Sequence, residues 1–392
     1  MSDRKYKPGK HFLQLPGPSN VPDRILNAMC YPTIDHRGPE FSELALKCLS
    51  GIKTIFKTKN PVIIFPASGT GAWEAALVNT LNDGDNVLMV ETGHFASLWN
   101  KMAQKLGFQV ELLKTDWRQG LDPNEIEKRL KLDVDKKIKS ICIVHNETST
   151  GCTSDVKAVR EILDDLNHDA LLMVDTISGL ASINYEHDEW GIDITISGSQ
   201  KGLMLPPGLS FNAVSEKAIN ASKKSTLKKS YWDWDEHLEF NRTGFFPYTP
   251  ATNLLFGLKE AIDMLHEEGL TNVFNRHARY SKATRIAINA WGLEVYCQNE
   301  ERFSDVLTAV LVPESKDADQ LRKIILENFN MSLGNGLSKL KGKVFRIGHL
   351  GDFNDISLLG VLSGVEMGLD LMQIPIKEAG VEKAREYLKE NL

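Results

Sequence analysis

The chain has 392 residues, of which 42% are hydrophobic and 25% charged, and a formal net charge of −6. That length exceeds what one hydrophobic core organises and favours a large domain plus a smaller one, while the composition excludes a disordered or collagen-like chain. Lysines are interspersed with acids, and the one strongly basic stretch, Lys223–Lys229, reads as a solvated helix face, so nucleic acid is not an expected partner.

From the N-terminus onward, Met1–Lys5 lacks the apolar core of a secretion signal, and no apolar run approaches the ~20 residues needed to cross a bilayer. A cytoplasmic protein without a membrane partner is expected. The five cysteines at 30, 48, 142, 152 and 297 form no metal-ligand spacing and no disulfide framework, so no metal is expected and the thiols are read as reduced. Between about 60 and 215, short apolar runs alternate with helical patterns, the mark of βα units building a mostly parallel sheet. Strands are predicted at 62–65, 87–90, 110–113, 141–144, 171–174, 192–196 and 209–213, several of them continuously apolar as strands covered on both faces are. A connecting helix is predicted over 251–266, with Leu254, Leu255, Leu258, Ile262 and Leu265 on one face and Gly269 as its cap. Beyond it, strands at 293–296, 308–312 and 344–347 and helices at 318–328, 354–371 and 377–390 predict a smaller α+β domain. The expected division is an N-terminal segment over 1–20, a large domain over 21–270 and a small domain over 271–392.

Three segments carry chemistry. Pro66–Leu77 follows a strand and opens a helix with Ser68, Gly69 and Thr70 at the turn, where free backbone N–H groups and hydroxyls make an anion site; by itself it reads equally as a tight strand-to-helix turn with an N-cap. In Met173–Gly179 an acid, Asp175, ends an apolar strand at the edge where α/β proteins bind ligands; there it caps a helix or meets a buried cation such as a protonated pyridine nitrogen. In Ile196–Gly208 a lysine, Lys201, sits in a strand-exit loop crowded by glycine and followed by Pro-Pro-Gly. Small neighbours and desolvation suit an amine that must reach an aldehyde in a confined space.

These pieces, together with Leu15–Pro22, His145–Gly151, Pro247–Pro250 and Gly342–Gly348, resemble the class V aminotransferases, and within them the serine–glyoxylate and alanine–glyoxylate group, over about residues 12 to 372. The resemblance implies the type I fold of pyridoxal-phosphate (PLP) transferases, α/β, with a mostly parallel seven-stranded sheet in the large domain and a smaller C-terminal α+β domain. It implies Lys201 as the covalent anchor of PLP and its proton carrier, and Asp175 as the partner of the ring nitrogen. Phe95, or its neighbour His94, would stack on the ring, Ile177 would pack on the opposite face, and Thr148 would contact the ring hydroxyl region. Ser68, Gly69, Thr70 and Gln200 would hold the phosphate, joined by Tyr248 and Thr249 of a second subunit, which makes a homodimer or larger the active unit. Phe246 stands where relatives carry a Tyr, leaving open which aromatic reaches the phosphate. Arg346 would clamp the substrate α-carboxylate. The segment around Gly17 would close over a small substrate, and Arg37 would meet a second carboxylate of an acidic donor or hold the N-terminal segment in place.

The implied activity moves the amino group of serine, alanine or aspartate to glyoxylate. Two rivals remain on sequence grounds: a PLP-dependent lyase of the cysteine-desulfurase kind, for which Cys297 is the candidate nucleophile, and a binding module that has lost its chemistry. Retention of Lys201, Asp175 and Arg346 together opposes the second.

Overall fold

The computed structural model describes residues 8–392; residues 1–7, part of the segment expected over 1–20, lie outside them. The chain runs through β1 (Phe12–Gln14), α1 (Asp23–Met29), α2 (Pro39–Phe56), β2 (Val62–Phe65), α3 (Gly69–Thr80), β3 (Asn86–Glu91), α4 (His94–Lys105), β4 (Gln109–Lys114), α5 (Pro123–Leu132), β5 (Ile138–Val144), β6 (Asn146–Glu147), β7 (Cys152–Thr153), α6 (Val156–Asp165), β8 (Leu171–Asp175), β9 (Ile194–Gly198) and β10 (Ser210–Val214). It continues through α7 (Glu216–Ser222), α8 (Trp234–Asn241), α9 (Thr252–Glu268), α10 (Leu270–Trp291), β11 (Glu294–Val295), β12 (Leu307–Leu311), α11 (Ala318–Phe329), β13 (Met331–Asn335), β14 (Val344–Gly348), α12 (Asp355–Leu371) and α13 (Gly380–Glu390).

The seven predicted strands form one sheet in the order β2-β10-β9-β8-β5-β3-β4. β10 runs antiparallel to both its neighbours and every other pairing is parallel. Every residue of β2, β8, β9 and β10 is buried, because helices cover both faces. One core packs α2, α5, α6 and α9 against the sheet and the other packs α3 and α4. The predicted strand at 192–196 begins two residues late because Asp193 is used otherwise: its carboxylate accepts the Leu172 N–H at 2.9 Å, fixing the start of β8 from the side. Helix starts are capped where a side chain can fold back, as Asp155, Ser215, Asp317 and Asn354 do for α6, α7, α11 and α12.

A second sheet has the order β1-β13-β14-β12-β11. Two of its members, β1 and β13, were not predicted. β1 pairs in parallel with β13, so the N-terminal segment begins as the edge strand of the small sheet. The connecting helix ends at Gly269, whose φ of 83° and N–H bond to the Leu265 carbonyl match the predicted cap. The chain then enters α10, a 22-residue helix that puts Val273 in the large core and Tyr280 to Trp291 in the small one.

Candidate active site

The C-terminal ends of β5, β8 and β9 and the first turns of α3 and α4 surround a cavity of about 100 Å3. Ser68, Gly69, Thr70, Phe95, Thr148, Asp175, Ile177, Gln200 and Lys201 all line it, so nine of the residues singled out in the sequence converge on one place. Trp73, Val144, Asn146 and Ser178 complete the wall. Larger hollows exist elsewhere, such as one of about 880 Å3 beside Glu366 and Ile374, but none gathers these groups.

Asp175 is the last residue of β8 and is 4% exposed. Its Oδ1 accepts the Ile177 N–H at 2.7 Å and its Oδ2 accepts the Trp73 indole N–H at 2.9 Å. Burial nonetheless pushes its pKa up to about 7, with Glu147 adding to the rise and the two donors and Lys201 opposing it. An acid so placed gains from a cation brought into the cavity.

Lys201 occupies a loop folded back on Ser199, which donates to the Pro206 carbonyl through its hydroxyl and to the Leu209 carbonyl through its N–H. A Cβ at Gly202 would stand 2.1 Å from the Leu180 carbonyl, so this turn admits no side chain. The Lys201 amine donates to the Pro16 carbonyl at 2.7 Å. Burial, then the nearby Arg346 charge, lowers its pKa to about 8, against the pull of Asp175. Around neutral pH such an amine is far more available as a nucleophile and base than an exposed lysine.

At the start of α3 the Ser68 side chain makes no cap bond, so the helix N-terminus opens onto the cavity with Gly69 and Thr70 in the wall. A Cβ at Gly69 would lie 2.3 Å from Ile177 Cδ1, so only glycine lets the helix approach so closely. The side-chain oxygens of Gln200 and Asn146 are buried without a hydrogen-bond partner among the described residues. Buried polar atoms of that kind call for a ligand or water.

Two further residues border the cavity without lining it. Arg346, in β14, donates from Nε to the Asn335 carbonyl at 2.8 Å and from Nη1 to the Thr148 carbonyl at 2.7 Å, which leaves Nη2 and half of Nη1 for an anion. Burial lowers its pKa to about 10, and it stays charged at neutral pH. Gly17 has a φ of 118° and faces the lysine so closely that a Cβ there would sit 2.1 Å from Nζ.

The other predicted residues lie apart from the cavity of their own chain. Arg37 is exposed just before α2. Tyr248 stacks on Tyr231 at 5.1 Å and bonds Glu236 through its hydroxyl, and Thr249 beside it is exposed. Phe246, partly buried, packs edge-on against Phe41 beside the large core. His94 opens α4 beside Phe95 but is not part of the wall. Cys297, 2% exposed, donates to the Asn299 carbonyl away from the cavity.

Sequence reasoning missed Trp73 and Asn146. Trp73 falls on a helix most of whose residues are buried, among Ala72, Ala75, Ala76 and Leu77, where an indole reads as core. Asn146 sits inside a quoted motif, and its exchange of hydrogen bonds with Ser178 across two strand ends is visible only in three dimensions.

Known proteins resemble this chain over nearly its whole length. The family model for aminotransferase class-V matches residues 12–337. The chain is 44% identical to a serine–glyoxylate aminotransferase of Arabidopsis thaliana, covering 100% of this chain and 98% of that one. It is 40% identical to an L-aspartate–glyoxylate aminotransferase of Paracoccus denitrificans, with 96% of each covered. Among solved structures, ureidoglycine–glyoxylate aminotransferase from Bacillus subtilis superposes with a TM-score of 0.90 at 26% identity, covering 98% of this chain and 100% of its own.

Proposed function

The chain belongs to the class V aminotransferases, and on that premise we propose that it transfers the amino group of a small L-amino acid, serine, alanine or aspartate, to glyoxylate, giving glycine and a 2-oxo acid. The observation that carries the reading is the convergence of Lys201, Asp175 and an open helix N-terminus on one cavity, with Arg346 at its border. PLP is the cofactor this family implies, and the residues fit it. Asp175 would hold the ring nitrogen, Phe95 and Ile177 the ring faces, Thr148 and Asn146 the ring hydroxyl region. Ser68, Gly69, Thr70 and Gln200 would hold the phosphate. When bound, PLP supplies the electron sink that stabilises negative charge at the donor Cα.

The protein's own groups do the rest. Arg346 holds the donor carboxylate through the N–H groups that Asn335 and Thr148 leave free, and it is itself held in place by those two carbonyls. That grip orients the Cα hydrogen toward the Lys201 amine, which takes the proton and returns it in the reverse direction for glyoxylate. The Pro16–Gly17 segment covers the amine and keeps water from it.

We propose further that the active unit is a homodimer in which the partner's Tyr248 and Thr249 complete the phosphate site. Their position beyond reach of their own cavity, on an accessible surface, supports this. None of the helices of the described residues is long and apolar enough to cross a membrane, and the five unpaired cysteines suit the reducing cytoplasm as the location. The lyase alternative loses ground because Cys297 is buried outside the cavity.

The test is a spectrum of the PLP-loaded protein mixed separately with serine, alanine, aspartate and cysteine. Loss of the cofactor's visible band with one of the first three donors, and its return together with glycine formation on adding glyoxylate, is expected. Sulfide release from cysteine, or no response to any donor, would overturn the reading.

A further inference from the structure

Two indoles lie parallel beneath the cavity. Trp73 of α3 and Trp99 of α4 stack with centroids 5.7 Å apart and planes 12° apart, and both are fully buried. Their polar atoms differ. The Trp99 Nε1 has no partner among the described residues, whereas the Trp73 Nε1 donates to Asp175 Oδ2 at 2.9 Å. With the Ile177 N–H on Oδ1 at 2.7 Å, each oxygen of this carboxylate has one donor, and the two donors fix its plane.

We propose that Trp73 is a positioning residue for transamination: its indole N–H orients the Asp175 carboxylate toward the cofactor ring nitrogen. The inference rests on the cofactor reading given above. The physical need is clear from the surroundings. Burial drives Asp175 toward the neutral acid, the Glu147 carboxylate at β6 pushes the same way, and the buried Tyr185 phenol offers no charge to counter them. Against these stand the Lys201 amine and the two N–H donors. A protonated acid cannot pair with a pyridinium, so removing the indole donor weakens the grip on the ring nitrogen in two ways. The carboxylate turns more freely, and more of it is neutral. The parallel stack on Trp99 explains why a tryptophan serves here: the ring is held rigidly, so its N–H points in one direction only.

The test compares the affinities of the cofactor-free protein for PLP and for its 1-deaza analogue, in which carbon replaces the ring nitrogen, by equilibrium dialysis. In the unsubstituted protein PLP is preferred. Trp73→Phe keeps the stack and loses the donor, and it is expected to narrow that preference roughly tenfold, the worth of one hydrogen bond to a charged group. Trp99→Phe, equally buried, leaves the preference as it was. In an Asp175→Asn background, adding Trp73→Phe changes the ratio no further. An undiminished preference in Trp73→Phe, or an equal loss in Trp99→Phe, overturns the proposal. Absence of any preference in the unsubstituted protein overturns instead the cofactor reading beneath it. Should Trp73→Phe fail to fold, β-(3-benzothienyl)alanine at position 73 keeps the two-ring shape without the N–H and gives the same comparison.

Discussion

Replacing Gly17 by alanine separates the demands of the fold from those of the reaction. The new Cβ would stand 2.1 Å from Lys201 Nζ, 2.2 Å from Cδ and 2.4 Å from Cε, at a residue whose φ is 118°. Those three atoms form the far end of a flexible side chain, so the lysine gives way and the fold survives. The backbone strain of a non-glycine residue in that conformation costs on the order of 1–3 kcal/mol. The lysine, however, leaves the Pro16 carbonyl and carries its amine away by more than an ångström, and a displacement of that size at a reacting group costs on the order of 10²-fold in rate. Urea unfolding of the cofactor-free protein together with kcat for donor and glyoxylate at saturation measures both halves. A stability loss within the strain figure and a much larger loss of kcat are expected. A variant with kcat within twofold of the unsubstituted enzyme refutes the reasoning, because the amine would then tolerate the displacement the geometry demands.

Lys201→Ala removes the proton carrier and the covalent anchor; kcat falls by at least roughly 10²-fold and the bound cofactor loses its visible band, as absorbance and steady-state assays will show. Arg346→Lys keeps a charge but not the fork, so KM for both donor and glyoxylate rises by about one to two orders of magnitude with a smaller change in kcat, measured with each substrate varied in turn. Asp175 gives a pH signature in the cofactor-free protein. Its folded pKa, about 7, lies above the ordinary aspartate value of 3.8, so the folded state binds the extra proton between those values and stability falls as pH rises through that window. Asp175→Asn flattens that limb of the profile. Lys201, depressed from 10.5 to about 8, contributes the opposite slope at higher pH, a rise in stability between those values that disappears in Lys201→Ala. Chemical denaturation across pH follows both limbs.

Much of the fold could be read in advance because the strands of the large sheet are buried on both faces and therefore write themselves as apolar runs, as Val62–Phe65 and Leu171–Val174 do. The site was legible for a related reason: segments that crowd together around one spot need small residues at fixed offsets, and Gly69 against Ile177, Gly202 against the Leu180 carbonyl and Gly17 against Lys201 mark those approaches. What stayed hidden was set by distant partners. β1 is three residues long and is a strand only because β13 lies beside it. α10 reads as the start of a new domain but passes from one core to the other without a break, since Val273 and Tyr280 face different partners on one continuous helix. The role of Trp73 depends on an oxygen 102 residues away, and no local pattern distinguishes it from Trp99.

The pairing of β1 also sets a schedule for synthesis. His11 bonds Asn330 across 319 residues, and Gln14 bonds the Gly348 carbonyl across 334. The ribosome must therefore deliver nearly the whole chain before its first ordered strand has a place to dock. Ser19, which donates from its backbone to the Gln200 carbonyl and from its hydroxyl to the Lys201 carbonyl, belongs to the same segment. The large sheet and its lysine loop can form while the chain is still emerging, and Pro16 and Ser19 can meet that loop at once, but the strand that ties this cover to the small sheet has to wait for β13.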